Sequence, residues 1–174
     1  MTAEKSSCCS SSSPPPRPWR RYLPLIVVVG LAALGAGAKQ LHYQGWEMRS
    51  AMHDFMGLFL LIFSMLKLFD LEGFAASFRK YDLLAARVRS YGLLYPFLEL
   101  ALALAYLSHC QPQAVYLATM LLMGFGALGV FRALAKGLEL KCACMGSTLN
   151  VPLSTVAVIE DVGMALMALI LFIL

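Results

Sequence analysis

Residues 114–135 read AVYLATMLLMGFGALGVFRALA, with no charged side chain before Arg132. As a helix this stretch is roughly 33 Å long, enough to cross the hydrocarbon of a bilayer. Gly124, Gly126 and Gly129 lie inside it and form a face on which a neighbouring helix can pack closely. Their G-x-G-x-x-G spacing is not a dinucleotide loop, because no strand or Gly-rich turn leads into a helix there. The whole chain has the same character: 174 residues, 60% hydrophobic, 14% charged, with a mean hydropathy of +0.72. Soluble domains carry about 25% charged residues, and a core of this length cannot hide so much apolar surface. Lipid is therefore the expected solvent, and the expected fold is an all-α polytopic membrane bundle.

Four further spans appear on either side of this stretch. Pro152 opens one that runs to Leu174, and a proline suits the first turn of a helix. Towards the N-terminus, a loop over 108–113 holds Cys110. Before it, residues 91–108 form a span containing Pro96 and Glu99, and residues 53–71 form another with Lys67 near its far end. Residues 23–41 form the fifth, an extra helix relative to the other four. Its basic flank resembles that of a signal peptide, but no small-residue cleavage site precedes a soluble region, so it is read as retained. Residues 1–22 form a Ser- and Pro-rich tail that cannot build a core and is expected to be a disordered cytoplasmic segment. Between spans 2 and 3, residues 72–90 place apolar residues every three or four positions among six charges. That pattern predicts an amphipathic helix in the headgroup plane.

Positive charge sets the expected orientation. With the N-terminus inside, Lys5, Arg17, Arg20, Arg21, Arg79, Lys80, Arg87, Arg89, Arg132, Lys136 and Lys141 fall on the cytoplasmic side. Lys39 and Arg49 fall outside. Eleven against two is a strong positive-inside bias. The net charge of +4 is accounted for by this bias, and no nucleic-acid partner is implied.

Lys141-Cys142-Ala143-Cys144-Met145-Gly146 carries the clearest chemical signal. Two thiols at i and i+2 can close a strained disulfide of the labile, catalytic kind, and Lys141 favours the thiolate of Cys142. The same pair, with Met145, can chelate a soft ion such as Cu(I). Four ionisable residues fall within spans: Lys67, Glu99, Glu160 and Asp161. Their depths from the cytoplasmic face are roughly 6 Å for Lys67 and 12–14 Å for the acids. All four therefore converge on the membrane half that carries Cys142 and Cys144. Two readings stay open here: a polar pocket serving the thiols, or a Lys67–Glu99 ion pair that only fixes helix packing. The remaining candidates are weaker. His42 and His53 are read as solvated or interfacial groups, and His109 with Cys110 as an inert exposed pair. Cys8 and Cys9 are read as incidental tail thiols, with metal binding or lipidation as the alternative. An odd number of cysteines, five, argues against a structural disulfide framework. No phosphate loop, zincin motif or EF-hand is present.

Taken in order, Lys67-Leu68-Phe69-Asp70, Gly73-Phe74, Tyr81-Asp82-Leu83-Leu84, Pro96-Phe97-Leu98-Glu99 and Cys142-Ala143-Cys144-Met145-Gly146 resemble the MauE (methylamine utilisation) branch of the DoxX-like membrane proteins. The resemblance covers residues 53–174. It implies a four-helix membrane domain in a bacterial inner membrane, associated with redox or disulfide handling during maturation of exported enzymes. By resemblance, Lys67, Glu99, Cys142 and Cys144 are the functional positions. Met145 stands where the family usually has an aromatic residue. The leading expectation is a thiol–disulfide redox accessory that exchanges electrons with a protein partner. The alternatives are soft-metal handling or transport, and a structural subunit without chemistry of its own.

Overall fold

The computed structural model describes residues 23–42, 47–80, 82, 84, 85, 87–135 and 153–174. The described chain forms six helices: α1 (Leu23–His42), α2 (Met48–Phe69), α3 (Leu71–Phe78), α4 (Arg89–Leu107), α5 (Pro112–Ala135) and α6 (Leu153–Ile173). No strand occurs among the described residues. Five of the six match the expected spans to within a few residues. The tail over 1–22 lies outside the described residues.

α2 is the centre of the assembly and packs against α1, α3, α4 and α6, while α5 packs along α6 and against α4. Two clusters show the antiparallel arrangement. Phe74, Phe78, Tyr95, Val130 and Ala133 meet at one end, with Val158 of α6 against them. Tyr106, Val115, Tyr116 and Leu171 belong to the cluster that reaches the other end. α2 therefore finishes, α4 starts, α5 finishes and α6 starts at a single end of the bundle.

Four helices, Leu25–His42, Met48–Phe69, Ser90–Leu107 and Pro112–Ala135, contain stretches long and apolar enough to cross a membrane. α6, with 21 residues, is about 30 Å long. The outward faces are apolar: Leu34, Leu104, Leu121, Leu128, Leu166 and Ile173 are all more than half exposed. A soluble monomer does not present such continuous apolar faces, whereas lipid solvates them. The chain is a multi-pass helical membrane protein.

The region between α2 and α4 departs from the expected amphipathic helix over 72–90. Helix α3 ends at Phe78. Phe74 and Phe78 are buried, stacking on one another and on Tyr95 of α4. Its apolar face is therefore spent on the protein itself. Asp82 then stops helix propagation, because its Oδ1 accepts from the backbone N–H groups of Leu84 (2.9 Å) and Ala85 (2.7 Å) in an Asx-type turn.

Asp82 is 1% exposed, and its Oδ2 has no hydrogen-bond partner among the described residues. Burial pushes its carboxyl above the ordinary value, against the two N–H bonds that pull it down. The folded chain thus holds this proton more tightly than the unfolded chain. Its contribution favours folding at low pH and is lost as pH rises from about 4 through the raised folded value. Asp82→Asn keeps an acceptor for both N–H groups and removes the titration. Melting temperatures measured from acid to neutral pH should show the parent falling relative to the variant as pH rises. Parallel curves would mean that Asp82 is solvated like any surface carboxylate.

Candidate functional site

Lys67 lies in the last turn of α2, and its ammonium is turned into the bundle. Nζ donates to both oxygens of Glu99, at 2.6 and 2.8 Å, and to Oε1 of Glu160 at 2.6 Å. Lys67, Glu99 and Glu160 are each at most 3% exposed. The rings of Phe63, Phe74 and Tyr95 surround the ammonium, with centroids 5.4 to 5.9 Å away. Their π faces add attraction for the cation. One amine thus joins α2, α4 and α6, while α3 closes one side with Phe74.

Asp161 follows Glu160 on α6 and is also buried. Its carboxylate faces Gly126 of α5, where an added Cβ would come within 2.9 Å of Oδ2. The small residue makes room for the acid; of the glycines of span 4, Gly126 receives a side chain from α6, whereas Gly124 meets nothing within 4 Å. The expected convergence of Lys67, Glu99, Glu160 and Asp161 on one half of the bundle is borne out. Lys67 pairs with Glu160 as well as with Glu99, and Asp161 stands beside them. Such a group can store and pass protons or charge out of contact with water, and it can fix three helices in register.

Cys142 and Cys144 lie outside the described residues, which exclude 136–152. The chain leaves α5 at Ala135 and enters α6 at Leu153, both at the end of the bundle that holds Lys67. Cys110 is an exposed free thiol in the turn at the other end.

That other end holds a second polar cluster, which the sequence reading missed. Asp54 of α2 is 1% exposed, and its Oδ1 accepts from Lys39 Nζ of α1 at 2.6 Å. His109 Nε2 lies 2.9 Å from Lys39 Nζ and 3.3 Å from Asp54 Oδ1. His53 was expected to be solvated or interfacial, but it is 3% exposed. Its two ring nitrogens lie 2.8 Å from the Tyr116 hydroxyl and 2.8 Å from the Tyr106 carbonyl. The reason is the start of α2 at Met48, a full turn before the expected span, which carries residue 53 into the bundle. His42 is exposed, as expected. The signal available for Asp54 was the short link between spans 1 and 2. A hairpin sets the end of one helix against the start of the next, so Lys39 and Asp54 are natural partners. Among the described residues no group of three or more His, Cys, Asp or Glu side chains is placed to hold a metal ion.

No curated protein and no solved structure matches the chain. The family model for "Methylamine utilisation protein MauE" matches residues 48–174, which takes in α2 to α6, the buried lysine with its carboxylates and both cysteines of the Cys-Ala-Cys segment. The chain belongs to the MauE family.

Proposed function

We propose that this protein is a membrane thiol–disulfide redox accessory in methylamine utilisation, acting through Cys142 and Cys144 on a protein partner. The observation that carries the reading is the buried Lys67–Glu99–Glu160 group. It sits at the bundle end where the chain departs for, and returns from, the segment bearing both thiols. Buried charge is costly in a membrane and is kept where it supports a site.

The exchange is balanced within the two proteins. The thiolate of one cysteine attacks a partner disulfide, forming a mixed disulfide and expelling a partner thiolate. The second cysteine then attacks the mixed bond, leaving a Cys142–Cys144 disulfide and a reduced partner. Two electrons and two protons pass to the partner, and the reverse sequence oxidises it. Lys67 and Glu99 are the buried pair that supports the site. The positive-inside bias supports a cytoplasmic N-terminus and Cys-Ala-Cys segment, and the family supports a bacterial inner membrane.

The test is a trapping experiment. Cys142→Ser leaves Cys144 able to attack but removes the resolving thiol. A partner-sized adduct should appear on non-reducing gels, disappear on reduction, and be missing from the Cys142→Ser/Cys144→Ser protein. No adduct in any single variant, with soft-metal binding that needs both thiols, would replace redox exchange with metal handling. A double variant indistinguishable from the parent in every assay would leave a structural subunit.

A further inference from the structure

The buried group around Lys67 holds more acid than base. Three carboxylates, Glu99, Glu160 and Asp161, meet one ammonium, and each of these four side chains is at most 6% exposed. An ammonium has three protons to give. Two point to the oxygens of Glu99 and the third to Oε1 of Glu160, at 2.6 to 2.8 Å. Asp161 receives none of them. Its oxygens face the backbone at Gly126, and among the described residues no hydrogen bond or ion pair reaches it. The packed elements bring no second buried cation among the described side chains. Arg79, Lys80, Arg87 and Arg132 all lie at this end, and all are exposed, as is Glu72 of α3. From α4 come the phenols of Tyr91 and Tyr95, and from α5 only Gly126 meets the acid. The α3–α4 link adds a further carboxylate. Asp82 is 1% exposed, its Oδ2 has no partner among the described residues, and its charge acts on Asp161.

We propose that Asp161 is a proton-binding site: its carboxyl is held as the neutral acid, and the proton takes the place of the second cation that the group lacks. Ionising every acid here would set three negative charges against one positive charge, and uncompensated charge is expensive inside a membrane. Neighbouring carboxylates that cannot all ionise keep a proton between them. The hydrogen bonds decide which one keeps it. Bonds from an ammonium favour the charged form of a carboxylate, and Glu99 and Glu160 receive all of these. Asp161 is left to be satisfied by a proton of its own. The slot at Gly126 suits that state, because it gives the carboxyl room without offering a cation. Uptake forms one O–H bond on Asp161 with a proton from water, and release returns the proton to water and leaves the carboxylate. The rim is close enough for this. α6 begins at Leu153, so Asp161 lies roughly 12 Å along the helix from that end. The site is built from described residues alone and goes beyond the thiol exchange proposed above.

Infrared spectroscopy of the full-length protein in lipid nanodiscs tests this at about pH 7, where ordinary aspartates and glutamates are ionised. A neutral carboxyl has a C=O stretch of its own, separate from the carboxylate bands. A heavy-carbon label in the aspartate carboxyls shifts that stretch if an aspartate holds the proton and leaves it in place if a glutamate does. Asp82 is also buried at this end, so the labelled spectrum is taken on Asp82→Asn. Asp54, the remaining buried aspartate besides Asp161 among the described residues, is paired with Lys39. The labelled Asp82→Asn protein should show a shifted C=O band, and Asp82→Asn/Asp161→Asn should lose it completely. No neutral-carboxyl band in Asp82→Asn, or a band that ignores the label, would overturn the assignment. So would a shifted band of equal size in the double variant. Should the double variant fail to fold, the labelled Asp82→Asn spectrum still decides. The thiols take no part in this measurement, so its failure and the failure of partner trapping are separate results.

Discussion

Lys67→Met should lower the unfolding free energy by about 3–5 kcal/mol, the usual result of removing one partner from a buried ion pair. Glu99 and Glu160 would keep their places at 0% and 3% exposure with no cation between them. For a chain of this length the melting temperature should drop by roughly 10 °C, measured in detergent or nanodiscs. The loss comes from stranded carboxylates and not from the amine itself, and a compensated variant separates the two. Lys67→Met combined with Glu99→Gln and Glu160→Gln removes the stranded charge, and buried ion pairs replaced by neutral groups often cost little. The triple variant should therefore recover most of the lost melting temperature and, on the proposed role of the group, trap a partner less well. If the single variant melts with the parent, the group is wetted and contributes nothing to the fold. If the triple variant also traps a partner normally after Cys142→Ser, the charges serve packing alone.

Gly57→Leu should produce the second large loss. A Cβ at Gly57 would lie 2.9 Å from Tyr106 Cβ and 3.1 Å from Leu107 Cγ and Cδ2. These atoms sit close to the α4 backbone, so the two helices themselves would have to move apart. Overpacking of this kind costs about 1–3 kcal/mol, and leucine adds three more carbons beyond the Cβ. The better helix propensity of leucine returns less than about 1 kcal/mol, so the net effect is a loss. The damage should reach His53, whose Nε2 meets the carbonyl of the same Tyr106 at 2.8 Å. Gly124→Leu is the control: a Cβ there meets nothing within 4 Å. It should melt at or above the parent temperature. Equal losses at both glycines would mean that bulk in the membrane, and not the α2–α4 approach, is what the chain resists.

Much of this architecture could be read from the chain alone, because length and apolarity are local properties. The five long helices follow directly from runs such as 114–135. The pairing of Lys67 with Glu99 was readable as one option: two opposite charges in the same half of neighbouring spans have few other partners. The part played by Glu160 was not readable. Glu160 and Asp161 are adjacent, and they point about 100° apart around α6. Which of them meets Lys67 depends on how α6 is rotated against α5, and Gly126 sets that by admitting Asp161. A short helix was readable here, but not the burial of its apolar face, because Phe74 and Phe78 have the spacing of an interfacial helix. Tyr95, with Val130 and Ala133, makes protein a better place for them than the headgroups. Asp54 was hidden by its position at the rim of a span, where a charge attracts no notice until its partner from the preceding helix is seen.

The two lysine–carboxylate contacts differ in how soon they become possible during synthesis. Asp54 is 15 residues beyond Lys39, so its partner has already been made when α2 enters the membrane. Lys67 has no such company. Glu99 follows 32 residues later and Glu160 93 residues later. Domains and segments are completed from the N-terminus as the chain emerges, and an unpaired lysine in a bilayer costs about 3 kcal/mol on insertion scales. α2 must therefore wait with its amine turned towards the aqueous edge. α6 supplies the second carboxylate, so the register that joins α2, α4 and α6 is sealed only once α6 has been made.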